Sequence, residues 1–146
     1  MKIKFILNDK KIESEVKPGQ TLLEYLRENG VYSVKYGCDN GECGACTVLV
    51  NGKAQNSCLM LMHMVNNCEI ETVESFSDHK NLHHLQESFL EEGAVQCGYC
   101  TPGMILSSEA LLRETPNPDD DDIKDTMAGN LCRCTGYVKP IKAVQK

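Results

Sequence analysis

Along the first half of the chain, apolar and polar positions follow short periods broken by turn residues. Residues 3–7 form a β-prone run, residues 8–10 a polar turn, and residues 12–16 alternate apolar with polar, which predicts an amino-terminal hairpin. Pro18 and Gly19 break the strand. Thr21 and Glu24 then form a capping-box pair, in which the Thr21 hydroxyl accepts from an early helix amide while Glu24 reaches back, and Gly30 suits a left-handed stop. A short helix over 22–29 follows from these signals. After a glycine-rich stretch over 37–44, residues 47–50, the Asn51-Gly52 dipeptide and residues 53–57 predict a second hairpin with a type I′ turn. Residues 69–73 read as one more strand. Strands surrounding one helix within this length predict a small α+β roll.

From Ser77 onward the period becomes helical. A helix over 83–92 stops at Gly93, Thr101 is expected to cap a helix with Pro102 at its first position, and a helix over 119–128 stops at Gly129. A last helix runs from about Tyr137 to the terminus, with Pro140 tolerated in its first turn. Four short helices predict a small bundle, and the composition shift at 76–80 marks the boundary. The expected fold class is α+β, with one domain over 1–76 and a second over 77–146. No internal repeat or low-complexity linker is present.

Composition changes this picture at one point. Of 146 residues, 41% are hydrophobic and 25% charged, as in ordinary soluble chains, but nine are cysteine. Two small domains with thin cores would profit from a covalent or metal staple. The apolar stretch at the amino terminus is too short for a signal h-region, and no twin-arginine signal is seen, so the chain is expected in the reducing cytoplasm. There, clustered cysteines serve as metal ligands or redox groups more often than as disulfides. No apolar run is long enough to span a bilayer. With 15 basic against 21 acidic residues and a formal charge of −6, nucleic acid is not an expected partner.

The cysteines fall into two sets. Cys38-x4-Cys43-x2-Cys46 repeats the plant-type spacing for a 2Fe-2S cluster, with Cys58 available as fourth thiolate. Two sulfide-bridged irons need two thiolates each, and the loop around them must turn tightly while aiming backbone amides at sulfur. Gly37, Gly41 and Gly44 permit that path. The competing reading is a four-cysteine zinc site, which prefers paired knuckles. A Rieske centre needs two histidines, and His63, His79, His83 and His84 lie outside the motifs. The second set is Cys97-x2-Cys100 followed by Cys132-x-Cys134. Its spacing alone leaves iron–sulfur, zinc and dithiol readings open, although a dithiol leaves Cys132 and Cys134 without a role.

Whole segments carry more than spacing. Gly37-Cys-Asp-Asn-Gly-Glu-Cys-Gly-Ala-Cys-Thr47, Gln96-Cys-Gly-Tyr-Cys-Thr-Pro-Gly103 and Gly129-Asn-Leu-Cys-Arg-Cys-Thr-Gly-Tyr137 resemble the iron–sulfur subunit of the molybdenum hydroxylases, the xanthine dehydrogenase and aldehyde oxidoreductase family. The resemblance spans nearly the whole chain and implies a ferredoxin-like β-grasp domain followed by a four-helix bundle. It also implies a ligand set: Cys38, Cys43, Cys46 and Cys58 for the ferredoxin-type cluster, and Cys97, Cys100, Cys132 and Cys134 for the bundle cluster. By the same resemblance, Gln96 and Cys134 lie beside a molybdopterin held by a large subunit, and the first cluster faces a medium subunit carrying FAD. A dimer of heterotrimers, or a similar complex, is the implied assembly.

The remaining features have plainer readings. Cys68 has no partner by count and is expected as a small buried hydrophobe. Residues 119–122 fail the EF-hand order and are expected to favour a helix dipole. The methionine-rich 59–64 is expected in the core or at a subunit contact, and Arg133 either faces a partner or offsets cluster charge. No nucleophile, base or substrate pocket is evident in the chain. The expected function is single-electron relay from molybdenum through both clusters to flavin, with a purine or other nitrogen heterocycle as substrate. The rival from another class is a free-standing two-cluster shuttle, for which the bundle would be superfluous. Each oxidised cluster with its thiolates carries −2, so two of them take the formal charge to about −10.

Overall fold

In the computed structural model, which covers residues 1–146, each half of the chain builds its own core. Strands β1 (Lys2–Leu7) and β2 (Lys10–Glu15) pair antiparallel around Asn8 and Asp9, both left-handed. Helix α1 (Leu22–Glu28) has the expected capping box: Thr21 Oγ1 accepts from Glu24 N at 3.1 Å and Glu24 Oε2 accepts from Thr21 N at 2.8 Å. Strands β3 (Thr47–Val50) and β4 (Lys53–Asn56) form the second hairpin, with Asn51 and Gly52 at φ 50° and 79°, the pair of positive angles a type I′ turn requires. Strand β5 (Glu69–Glu71) lies parallel to β1 and antiparallel to β3, giving the order β2-β1-β5-β3-β4.

Strand β2 runs over Lys10–Glu15 where 12–16 is expected, and β4 and β5 also stop earlier than the sequence pattern predicts. Asn8 captures Thr72, its Oδ1 accepting from Thr72 N at 2.8 Å and its Nδ2 donating to Thr72 Oγ1 at 2.9 Å, so β5 ends at Glu71. Ser57 turns out of β4 because its N and Oγ both donate to Cys46 O. The chain then enters a short 3₁₀ turn over Ser57–Leu59. Above the sheet, Leu22, Leu23 and Leu26 of α1 pack against Ile3, Phe5, Val48, Val50 and Ile70. Each such leucine contributes about 1.5–3 kcal/mol on full burial.

In the second half, α2 (His84–Glu91) starts one residue later than predicted. His83 is its cap, with Nδ1 accepting from Leu85 N at 3.3 Å. Helix α3 (Thr101–Glu114) corrects the expectation that Thr101 is a cap: Met104 N already donates to Cys100 O at 3.0 Å, so Thr101 lies inside the helix and Cys100 precedes it. Pro102 remains in the first turn, where its missing N–H forfeits no helix bond. Asp119 caps α4 (Asp120–Ala128) through Asp121 N and Asp122 N, at 3.0 and 2.9 Å, so the acidic run serves a helix start as expected. Helix α5 (Val138–Gln145) follows Tyr137, itself left-handed at φ 68°. Leu85, Phe89, Met104, Ile105, Ile123, Met127 and Ala143 form the core these helices share. No helix is long and apolar enough to cross a membrane.

The two halves meet where α3 packs on β3. All four residues of β3 are buried, because Val48 and Val50 face the first core and alternation turns Leu49 to the other side. Arg113 of α3 clasps Glu71 of β5 with both terminal nitrogens, at 2.7 and 2.9 Å, while its Nε donates to Glu109 at 2.9 Å. Arg113→Met keeps the aliphatic stem and loses the fork. Because the guanidinium is partly exposed, unfolding free energy should fall by only about 1 kcal/mol, with the loss shrinking as salt rises; chemical denaturation at low and high salt measures both.

Candidate functional site

The loop between α1 and β3 brings its sulfurs together through its own backbone. Cys38 Sγ accepts from Glu42 N at 3.3 Å and Cys43 N at 3.2 Å, and Cys43 Sγ accepts from Ala45 N at 3.4 Å. Cys46 and Cys58 form a second side-chain contact, both buried, while Cys38 and Cys43 are half-exposed. Cys58 reaches this place because Ser57 is bonded to Cys46 O and Asn56 Nδ2 donates to Gly41 O at 3.0 Å. A methyl group at Gly37 would collide with Cys43 Sγ, and at Gly41 the φ of +83° disfavours any side chain, which would also have to displace the tip of Leu59. Backbone N–H groups, that of Asn40 first and Cys43 next, hold the Cys38 thiol at about 7, whereas burial pushes Cys58 up to about 12.

The second set converges from two segments. Cys97 and Cys100 lie just before α3, and Cys132 and Cys134 lie in the connection from α4 to α5. Sulfur contacts run between the segments: Cys134 to Cys97 at 3.7 Å, and Cys132 to Cys100. This crossing is not the geometry of a dithiol formed within Cys97-x2-Cys100. Thr135 donates to Cys132 Sγ from both N and Oγ1, at 3.4 and 3.1 Å, and these bonds lower the Cys132 thiol although burial opposes them. Cys100 is pushed up to about 12 by burial and by Cys132. Tyr137 Oη accepts from Cys132 N at 2.8 Å and donates to Asn130 O at 3.1 Å, bracing the turn.

Sequence-expected residues sort cleanly by position. Gln96 and Cys134 are adjacent, with Gln96 Nε2 donating to Cys134 O at 3.3 Å, and both are exposed beside exposed Cys97. Arg133 is exposed between two of the cysteines. Cys68 stands apart from both sets; it packs against the first core as a small hydrophobe, but half-buried where a buried residue is expected. In the 59–64 stretch Met62 is buried, whereas Leu59 and Met64 are exposed. The sequence pattern assigns no site role to Thr135, Tyr137 or Asn130, although all three lie within the Gly129–Tyr137 segment. A hydroxyl three residues after Cys132 is the signal that could have found the first of them.

Both arrays fit a 2Fe-2S group on their own chemistry. Each offers four sulfurs in two contacting pairs, N–H or O–H donors aimed at sulfur, and, in the first, a glycine cradle that a Cβ would fill.

Comparison with known proteins agrees with this chemistry. Residues 5–73 match the family model described as 2Fe-2S iron-sulfur cluster binding domain, and residues 72–145 match that described as [2Fe-2S] binding domain. The nicotinate dehydrogenase small FeS subunit of Eubacterium barkeri is 52% identical over 129 residues, covering 88% of this chain and 82% of the relative. The xanthine dehydrogenase iron-sulfur-binding subunit of Escherichia coli O157:H7 is 46% identical over 145 residues, covering 97% and 91%. The structure of quinoline 2-oxidoreductase from Pseudomonas putida 86 superposes with a TM-score of 0.96 at 42% identity, covering all of this chain and 91% of that one.

Gly37→Ala tests the cradle. A Cys43 sulfur held by iron could not step aside from the added methyl, so bound iron should fall from about four per chain to about two, with the second site retaining its signal. Iron analysis with paramagnetic resonance makes the measurement.

Proposed function

The chain belongs to the iron–sulfur subunits of the molybdenum hydroxylase family, and on that premise we propose that it relays single electrons from a molybdenum centre in a large subunit to FAD in a medium subunit. The chain is the electron-transferring part of an oxidoreductase, with two 2Fe-2S sites of its own. Its proposed division is a ferredoxin-like β-grasp domain over 1–76 and a helical bundle domain over 77–146, which agrees with the two separate cores.

When bound, each cluster accepts and returns one electron at a time. The residues of the chain hold and tune it. In this proposal Cys38 and Cys43 bind one iron of the first cluster and Cys46 and Cys58 the other; Cys97 with Cys134, and Cys100 with Cys132, do the same in the second. The contacting sulfur pairs support that assignment. Backbone donors at Cys38 and Cys43 and the Thr135 donors at Cys132 stabilise the charge of an added electron, and burial of Cys46 and Cys58 keeps water from half of the first cluster. Gln96 and Cys134 are proposed to contact the pterin of the large subunit. Their joint exposure beside Cys97 is the observation that carries the reading, since it leaves one edge of the second sulfur set open to a partner.

The proposed location is cytoplasmic, and the proposed substrate class is a nitrogen heterocycle. Relatives named for nicotinate and quinoline support that class. A dimer of heterotrimers is the proposed assembly.

Affinity purification at native expression should recover a large and a medium subunit, and the complex should bleach with dithionite and oxidise nicotinate or a related heterocycle. A monodisperse chain that exchanges electrons without partners would favour a free shuttle instead. Within the complex, Cys132→Ser should abolish one of two distinguishable paramagnetic signals of the reduced protein, and survival of both in folded protein rejects that ligand.

A further inference from the structure

Asn130 stands two residues before Cys132 and is 2% exposed. Its side-chain amide donates to Gly44 O at 3.1 Å and reaches Thr47 Oγ1 at 3.4 Å, although Gly44 lies in the other half of the chain, between Cys43 and Cys46. The next residue repeats the connection, since Leu131 N donates to Cys43 O at 2.8 Å. Two consecutive residues leading to Cys132 are thus bonded to Cys43 and its successor. The fit has no slack. A methyl group at Gly103, in the first turn of α3, would strike Gly44 O and come within 2.9 Å of Asn130 Nδ2, and one at Gly44 would strike Gly129 O and Asn130 Nδ2. Segments bearing cysteines of both sets therefore meet backbone to backbone, with one amide side chain filling the joint.

A buried amide that made no such bonds would cost more than it returned. Here it does something an apolar residue of the same size cannot. The Gly44 carbonyl already accepts from Thr47 N and Oγ1, and Asn130 adds a third donor from the opposite half, fixing both the distance and the orientation of the two loops. With Asn130 in place, the path from Cys132 Sγ to Cys43 Sγ is continuous backbone crossed by a single hydrogen bond, Leu131 N–H to Cys43 O.

We propose that Asn130 is the positioning residue of the electron relay, locking the 37–46 loop to the 130–134 turn so that the Leu131–Cys43 hydrogen bond forms a fixed bridge between the clusters. The inference rests on the two-cluster relay proposed above. In the step it serves, one ferrous iron of the bundle cluster becomes ferric and one ferric iron of the ferredoxin-type cluster becomes ferrous. No bond forms or breaks, and no proton moves.

The test uses the full chain with its clusters, in the assembled complex. In fully reduced wild type, the two paramagnetic signals should split each other. In Asn130→Ala both signals and both midpoint potentials should persist, while the mutual splitting collapses and electron exchange between clusters after flash reduction slows by roughly tenfold or more, as expected when a reacting geometry loosens. Thr47→Val, which leaves the Asn130–Gly44 bond in place, should keep both splitting and rate. Wild-type splitting and rate in Asn130→Ala would overturn the proposal. If that variant loses a cluster, hydrogen exchange in the wild type decides: protection of the Leu131 amide like that of α4 supports the joint, and loop-like exchange overturns it. Fewer than two signals in the wild type would overturn the relay reading and this inference together.

Discussion

Convergence of four sulfurs from separate stretches of chain is the constraint on which the rest of this structure depends. Four thiolates cannot sit within contact of one another without a positive centre among them. Burial and neighbouring sulfur push the Cys58 and Cys100 thiols up to about 12, so charged sulfurs gathered there need a compensating cation. Iron would remove that penalty, and the donor set of each array fits it. Each draws its sulfurs from two features: three from the 38–46 loop before β3 joined by Cys58, and two from just before α3 joined by two from the turn after α4. The strands and helices hold these loops in place more than they contribute groups of their own. Cores as small as these two leave little stability in reserve, so the cross-links that iron would make between distant segments are also structural staples.

Much of this was legible in the sequence because the signals are local. Thr21 with Glu24, Asn51-Gly52, Gly30 and the acidic run from Asp119 each report a backbone conformation that the same few residues determine, and the structure carries all four. The cysteine spacing was legible for a similar reason, since a cluster loop is short. Errors came where a distant partner decided the outcome. Strand β5 ends at Glu71 because Asn8, at the other end of the domain, takes the backbone of Thr72, and no pattern within 69–73 records that. Thr101 read as a cap because it precedes Pro102, yet the Cys100 carbonyl opens the ladder first.

Residues that tie the halves together were the least legible of all. Arg113 looks like any cation near a helix end, and only its meeting with Glu71 of β5 makes it a clasp. Asn130 sits inside a segment whose strongest sequence signal is its cysteines, and its partner Gly44 is far away in sequence. Gly44 is readable as a residue that permits a tight turn, but the structure gives its small size, and that of Gly103, a different use. Both clear space for a carbonyl and an amide to meet across the domain junction, Gly103 without any positive φ. Sequence reasoning finds a site made of like residues more readily than a joint made of unlike ones.

Charge completes the physical account. Two oxidised clusters would take a chain of formal charge −6 to about −10, so the protein must hold new negative charge close to existing carboxylates without forcing them together. Its acidic run lies at the start of α4, a helix of nine residues and so about 13 Å long, and the second sulfur set follows the end of that helix. The carboxylates thereby stabilise one helix terminus while standing a helix length from the cluster. The end of α4 contributes a partial negative charge toward the sulfurs, which the amino termini of α3 and α5 oppose, both beginning within a few residues of a cysteine. Arg133 stands exposed between Cys132 and Cys134. The amino termini of α3 and α5 and the Arg133 cation therefore act in one sense, offsetting both the carboxyl end of α4 and the negative charge that the second site would gain on reduction.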